Sequence, residues 1–188
     1  MKSSLTISVI LLFGIIIGCK KETVTGPNQP QNLIANSSFE TNGNPTIAGW
    51  QFRDSAIFNF AEDAPPGGGN YSVVLVTFRP SSFSMNALIV KVPLAIGSHQ
   101  YKLSVWARRE SNGQGFISLF RHSGDIDTMT AFQSLVITDT VWSYYSTQMN
   151  LTNSTNDSVV VALNGGYAPI SYLDSRSFFD LCKLEQLN

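Results

Sequence analysis

The chain has 188 residues with 12 Lys and Arg against 13 Asp and Glu, so charged side chains make up only 13% of it, about half the usual share. A formal net charge of −1 excludes the counterion-driven affinity that a phosphate backbone demands, so nucleic acid is not an expected partner. With 43% apolar and 11% aromatic residues the chain can build a sizeable core, which excludes disorder throughout, and its length suits one domain.

The chain opens as an address. Lys2 supplies a positive charge, and the 13 residues from Leu5 to Ile17 are nearly all apolar. As a helix they reach roughly 20 Å, short of the roughly 30 Å hydrocarbon core of a bilayer. They read as an export signal rather than a membrane span. The stretch ends in Ile16-Ile17-Gly18-Cys19, which resembles the lipobox of bacterial lipoproteins, where cleavage precedes the cysteine and its thiol carries a diacylglycerol. The resemblance implies that residues 1–18 are removed and that Cys19 is lipidated. Cys182 is then the one remaining thiol and no internal disulfide forms. Several acyl chains on one residue suffice for stable anchoring, so the protein is expected on a membrane surface without crossing it.

From Lys20 to Gln31 the sequence holds one apolar side chain and two prolines, so it buries nothing and acts as a tether. Residues 19–31 thus join the anchor to the domain, reaching about 40 Å when extended and roughly 20 Å as a coil. Lys20, rather than Asp, after the cysteine is compatible with outer-membrane sorting. Lys20-Lys21-Glu22 loosely resembles the surface-export signals of Bacteroidetes lipoproteins. The expected location is the cell envelope, at the outer membrane or cell surface in preference to the inner membrane.

Residues 32–188 show short apolar runs broken by turn clusters such as Asn42-Gly43-Asn44-Pro45, Pro65-Pro66-Gly67-Gly68-Gly69 and Asn164-Gly165-Gly166. This is the signature of an all-β sandwich or barrel. Strands are predicted near 33–36, 48–53, 56–61, 71–79, 84–92, 99–109, 115–121, 131–138, 141–151, 157–164 and 171–186. No stretch sustains a helical period with caps. The clearest alternation sets Tyr101, Leu103, Val105 and Ala107 on one face against Lys102, Ser104, Trp106 and Arg108 on the other, as a strand with one buried face requires.

Five blocks in register then resemble a family. Asn32-Leu33-Ile34-Ala35-Asn36-Ser37-Ser38-Phe39-Glu40 followed by Gly49-Trp50 resembles the opening of carbohydrate-binding modules of the family 4/9/22 type. Gly69-Asn70-Tyr71-Ser72, the run from Gly97 to Arg108, Thr140-Val141-Trp142-Ser143-Tyr144-Tyr145 and Phe179-Asp180-Leu181-Cys182-Lys183-Leu184 resemble four later blocks of the same family. The resemblance spans 32–188 and implies a galactose-binding-like jelly-roll β-sandwich. Many members hold calcium, so it also implies a structural Ca2+ with Glu40 and Asp180 as charged ligands. Calcium takes six to eight hard oxygens, so main-chain carbonyls can supply the rest. Leu181 stands where the family often has a second Asp, and by strand alternation it is expected on the face opposite Asp180.

Sugar recognition needs flat aromatic faces for the apolar side of a pyranose, with hydrogen-bonding groups beside them. Trp50 and Trp142 fall at positions that usually pack the family's core. Trp106 lies with the polar set, so Trp106, Arg108, Tyr144 and Phe58 are the candidate ligand-binding residues, with Phe60, Arg79 and Arg121 next. No catalytic set emerges: there is no Gly-x-Ser-x-Gly, and the only histidines, His99 and His122, read as turn residues. Asp125 and Asp127 read as a solvated hairpin tip, and Cys182 with two histidines makes no zinc site. Asp54-Ser55-Ala56, Asp127-Thr128-Met129, Asp139-Thr140-Val141 and Asp157-Ser158-Val159 resemble an O-glycosylation signal of Bacteroidetes envelope proteins, but read as ordinary turn-to-strand steps. The expected function is a surface-anchored, non-enzymatic lipoprotein that recognises a polysaccharide or glycan. The alternative is a structural or protein-interaction envelope lipoprotein without sugar binding.

Overall fold

The computed structural model describes residues 30–53, 57–77, 87–110, 114–123, 129–153, 157–167 and 175–187. The export signal, Cys19 and the tether up to residue 29 lie outside these residues, as do Arg79, Asp125, Asp127 and the motif at 54–56. The described chain forms twelve strands: β1 (Glu40–Thr41), β2 (Asn44–Pro45), β3 (Gln51–Arg53), β4 (Ile57–Ala61), β5 (Ser72–Thr77), β6 (Ala87–Pro93), β7 (Gly97–Arg109), β8 (Gln114–His122), β9 (Met129–Ile137), β10 (Ser143–Asn153), β11 (Ser158–Tyr167) and β12 (Ser175–Gln186). No helix occurs among the described residues.

Two five-stranded sheets carry the fold, in the orders β10-β7-β12-β5-β4 and β3-β6-β11-β8-β9, with β1-β2 as a separate hairpin. Every pairing is antiparallel. The all-β sandwich expected from the turn spacing is therefore present. Its core lies between the sheets, where Leu103, Val105 and Phe179 of the first meet Leu119, Val161 and Leu163 of the second. The alternation in β7 holds: Tyr101, Leu103, Val105 and Ala107 are at most 1% exposed, while Lys102, Trp106 and Arg108 on the outer face are half-buried.

Three local features depart from the sequence expectation. First, the Asn42-Gly43 turn closes a hairpin, β1 against β2, because both residues adopt φ above zero (53° and 75°), the backbone that a tight two-residue hairpin turn requires. Second, residues 33–36 form no strand. Instead Asn32 bridges Glu185, and its Oδ1 accepts from the Leu184 amide at 3.0 Å. The Leu33 amide donates to the Leu184 carbonyl at 2.8 Å, so the start of the domain is tied to its last strand. Third, β12 is bulged. Asp180 pairs with Trp106 but Lys183 with Ser104, so Leu181 and Cys182 share one partner position. Leu181 takes φ 49°, and Cys182, not Leu181, turns inward to full burial. The placement of Leu181 on the face opposite Asp180 is thereby corrected: an extra residue breaks the period of two.

Among the described residues both sheets and both apolar clusters draw on residues from Leu33 onward, with Asn32 bridged to Glu185. Gly166 sits where the pairing of β11 with β8 shifts register. Its φ is 90° and an added Cβ would overlap the Gln114 carbonyl. Gly166→Ala should lower stability by about 1–3 kcal/mol or more, as strained backbone does. The denaturant midpoint checks this, and an unchanged midpoint would show that the bulge relaxes freely.

Candidate functional site

The two carboxylates singled out in the sequence come together over the central strand of the first sheet. Asp180 on β12 is fully buried. Its Oδ1 accepts from the Leu181 amide at 2.7 Å, whereas Oδ2 is buried with no hydrogen-bond partner among the described residues. Glu40 on β1 uses Oε1 to accept from the Asn70 amide at 3.0 Å. The β4–β5 connection closes over both: a Cβ on Gly68 would strike Asp180 Oδ2, and one on Gly69 would strike Glu40 Oε2. Gly68 and Gly69 are thus the residues that let main chain approach two acids. Beside each acid stands a non-glycine residue in the left-handed region, Phe39 at φ 55° and Leu181 at φ 49°. Such backbone costs of order 1–3 kcal/mol and persists only where its surroundings fix it.

Burial pushes the Asp180 carboxyl up to about 8, and the neighbouring Glu40 charge adds to the shift. A buried carboxylate oxygen without a donor, facing a second carboxylate, is a costly arrangement in an otherwise satisfied interior. A hard divalent cation fits it. Among the described residues no three His, Cys, Asp or Glu side chains gather as a metal cluster, so such an ion would rely on Glu40, Asp180 and main-chain oxygens.

The raised value has a definite sign. The folded protein without metal keeps a proton on Asp180 that the unfolded chain releases near pH 4. Its contribution to stability is therefore full below about pH 4 and is lost as pH rises through about 8. In chelator, the melting temperature of the wild type should fall relative to that of Asp180→Asn between pH 5 and pH 9, and added Ca2+ should remove the difference in slope. Parallel pH profiles in chelator would contradict the buried acid.

On the outer face of the first sheet, Trp106 stands between Tyr144 on β10 and Asp180 on β12 in direct cross-strand register. The Trp106 and Tyr144 rings meet at 6.0 Å and 66°, and Tyr144 is 52% exposed. Along the same two strands the outer face continues as the pairs Ser104–Ser146, Lys102–Gln148, Gln100–Asn150 and Ser98–Thr152. Hydroxyls and amides thus dominate the strip beside the aromatic pair.

The other two candidate ligand residues are differently employed. Arg108 shares the face of Trp106, but its Nε and an Nη donate to Asp63 at 2.9 and 2.6 Å. Its guanidinium lies 3.5 Å from the Phe178 ring centroid and 5.6 Å from that of Trp142. Its charge is neutralised and its flat faces are covered, so this candidate ligand residue is engaged in packing. Trp142 caps this group from outside, donating from Nε1 to Asp63 at 3.1 Å, and so packs the outer face rather than the core. Phe58 pairs across from Leu75 and so projects inward, packing on Phe52 at 4.5 Å and Phe60 at 5.6 Å. That is the face opposite Trp106, because the strand's period of two sends 58 and 60 to the core side.

Trp50 packs the core as expected, 6% exposed, with its ring 5.1 Å from Phe39. Arg121 is paired with the buried Asp157, whose other oxygen accepts from Ser123 at 3.1 Å. Asp139 accepts from the Tyr145 hydroxyl at 3.0 Å. These acids hold turns.

A surface the sequence reading missed lies on the outer side of the second sheet. Ala87, Ile89, Phe120, Val160 and Ala162 form a second buried cluster there, with Phe132 (57% exposed) and Val136 (42%) beside it on β9. The unbroken apolar run Val159-Val160-Val161-Ala162-Leu163 was the available signal, since a strand buried on both faces loses its alternation.

No family model and no curated protein matches the chain. The CBM22-1 xylan-binding domain of Paenibacillus barcinonensis Xyn10C superposes with a TM-score of 0.57 at 14% identity, covering 85% of this chain and 96% of that one. The CBM22-2 xylan-binding domain of the same protein gives 0.58 at 15%, covering 80% and 97%. A family 16 carbohydrate-binding module gives 0.57 at 17%, covering 81% and 99%. The chain has the jelly-roll fold of carbohydrate-binding modules. This carbohydrate-binding-module fold is the architecture that the five sequence blocks implied, reached here through shape alone.

Proposed function

We propose that this protein is a non-catalytic polysaccharide receptor of the cell envelope, held by lipid on Cys19 and presenting the outer face of its first sheet to a glycan. The observation that carries this reading is the Trp106–Tyr144 pair at the head of a polar strip in which hydroxyls and amides outnumber the one charged side chain, Lys102. An exposed aromatic ring accepts the apolar side of a sugar, and flanking hydroxyls and amides exchange hydrogen bonds with its hydroxyl groups. The carbohydrate-binding-module fold supports it. A structural Ca2+ held by Glu40 and Asp180 would neutralise two acids and join β1 to β12, segments 140 residues apart in sequence (180 less 40).

A second reading, a structural or protein-interaction lipoprotein without sugar binding, is favoured by the engagement of Arg108 and Phe58 in packing. The two are separated by binding the domain to a panel of neutral plant and bacterial polysaccharides. Tyr144→Ala should weaken retention by about tenfold or more, the loss expected of a central aromatic contact, with its melting temperature unchanged. Phe132→Ala, on the second sheet, should bind as the wild type does. Binding lost with Phe132 and kept without Tyr144 would move the site to the other sheet, and no binding to any glycan would favour the second reading. Anchoring is tested by Cys19→Ala, which should leave the membrane fraction; a variant still fractionating with membranes would refute lipidation at that thiol.

A further inference from the structure

Strand β10 is an edge, hydrogen-bonded on one side to β7 and at the end of its sheet. Edge strands present unpaired N–H and C=O groups that invite another strand. Folded proteins blunt them with charge, proline, bulges or brevity. The other three edges of this sandwich follow that rule: β3 has 3 residues, β4 has 5, and β9 loses register beside His122. β10 does not. It runs for 11 residues, Ser-Tyr-Tyr-Ser-Thr-Gln-Met-Asn-Leu-Thr-Asn, without a charge, proline or glycine. Its register with β7 is continuous from end to end. Among the described residues the main chain of Ser143–Thr152 makes no hydrogen bond beyond that ladder. Its outward side chains Tyr144, Ser146, Gln148, Asn150 and Thr152 are all exposed.

We infer that β10 is a homodimerisation edge, pairing antiparallel with β10 of a second copy of this chain. The strand is complementary to itself. A two-fold axis at Gln148, the centre of Ser143–Asn153, sets Gln148 opposite its own copy, Ser146 opposite Asn150 and Tyr144 opposite Thr152. Every such pair is uncharged and able to hydrogen-bond, and no like charges meet, the condition under which cross-strand pairs stabilise a sheet. All eleven residues find partners, which a foreign segment would have to match in length. The contact is isologous and consumes the one unblunted edge among the described residues, so assembly closes at two copies rather than growing a fibre. The joined sheet would have ten strands, within the range of open sheets. Its outer face would carry two Trp106–Tyr144 pairs, with the two Tyr144 rungs about 27 Å apart along the strands at 3.4 Å per residue.

The test is sedimentation of the chain without residues 1–18 and with Cys19→Ser, over a concentration series. The wild type should form a dimer and nothing larger. Gln148→Lys and Gln148→Glu, each placing like charges face to face, should sediment as monomers with unchanged melting temperature. An equimolar mixture of the two should restore the dimer, because Lys then faces Glu. A wild type that stays monomeric throughout would overturn the inference. So would Lys and Glu variants that remain dimers, or a mixture that stays monomeric.

Discussion

The buried carboxylate of Asp180 is the constraint on which the arrangement of this domain turns. It sits where the chain's beginning, the β4–β5 connection and the last strand converge, and each must bend to accommodate it. The bulge in β12 turns Asp180 outward and Cys182 inward. Phe39 takes a left-handed backbone as the chain enters β1. Gly68 and Gly69 remove the two Cβ atoms that would displace the acids. Three separate concessions at one place are more than packing alone would keep, since each costs free energy on its own. A cation bound by two acids would offset them together.

From that point the first sheet distributes its roles by strand. β12 lies at its centre, between β7 and β5, and supplies both the core residue Phe179 and the buried acid. β7 carries the core on one face and Trp106 on the other. β10, at the edge, contributes Tyr144 and the hydroxyl and amide side chains that follow it. Arg108, Asp63, Phe178 and Trp142 form a stacked, ion-paired group that stiffens the end of this face beside Trp106. The half-buried ion pair is worth modest stability in itself. Its cover by two rings leaves the Arg108 side chain only partly exposed, and Asp63 holds the indole N–H of Trp142.

Much of this was legible in the sequence. Turn clusters at regular spacing announced an all-β sandwich, and the alternation from Tyr101 to Arg108 set the correct faces of β7. Asn-Gly at 42–43 marked a tight turn. Glu40 and Asp180 were found through the resemblance of their blocks, because two acids 140 positions apart carry no local signal of proximity. What escaped was decided by register. A two-residue period places Phe58 and Phe60 together but does not say which side faces the core; pairing with Leu75 and Val73 does. The bulge at Leu181 is invisible to alternation, since it is a single inserted residue. Arg108 has the same sequence signature whether free or paired, and only the approach of Asp63 and Phe178 settles its state. The second sheet's outer cluster hid inside apolar runs that read as core on either face.

The central claim is that the outer face of the first sheet meets sugar through Trp106. Three tryptophans occur in the chain, and two have their indole N–H committed within the protein, Trp50 to the Asn36 carbonyl and Trp142 to Asp63. Their indole resonances can be followed separately by 1H–15N NMR during titration with a soluble oligosaccharide fragment of a bound polysaccharide. The account predicts that the Trp106 resonance moves with saturation, together with amides of β7 and β10, while that of Trp50 stays still. Saturable shifts confined to β6, β8 and β9 with Trp106 unmoved would contradict it.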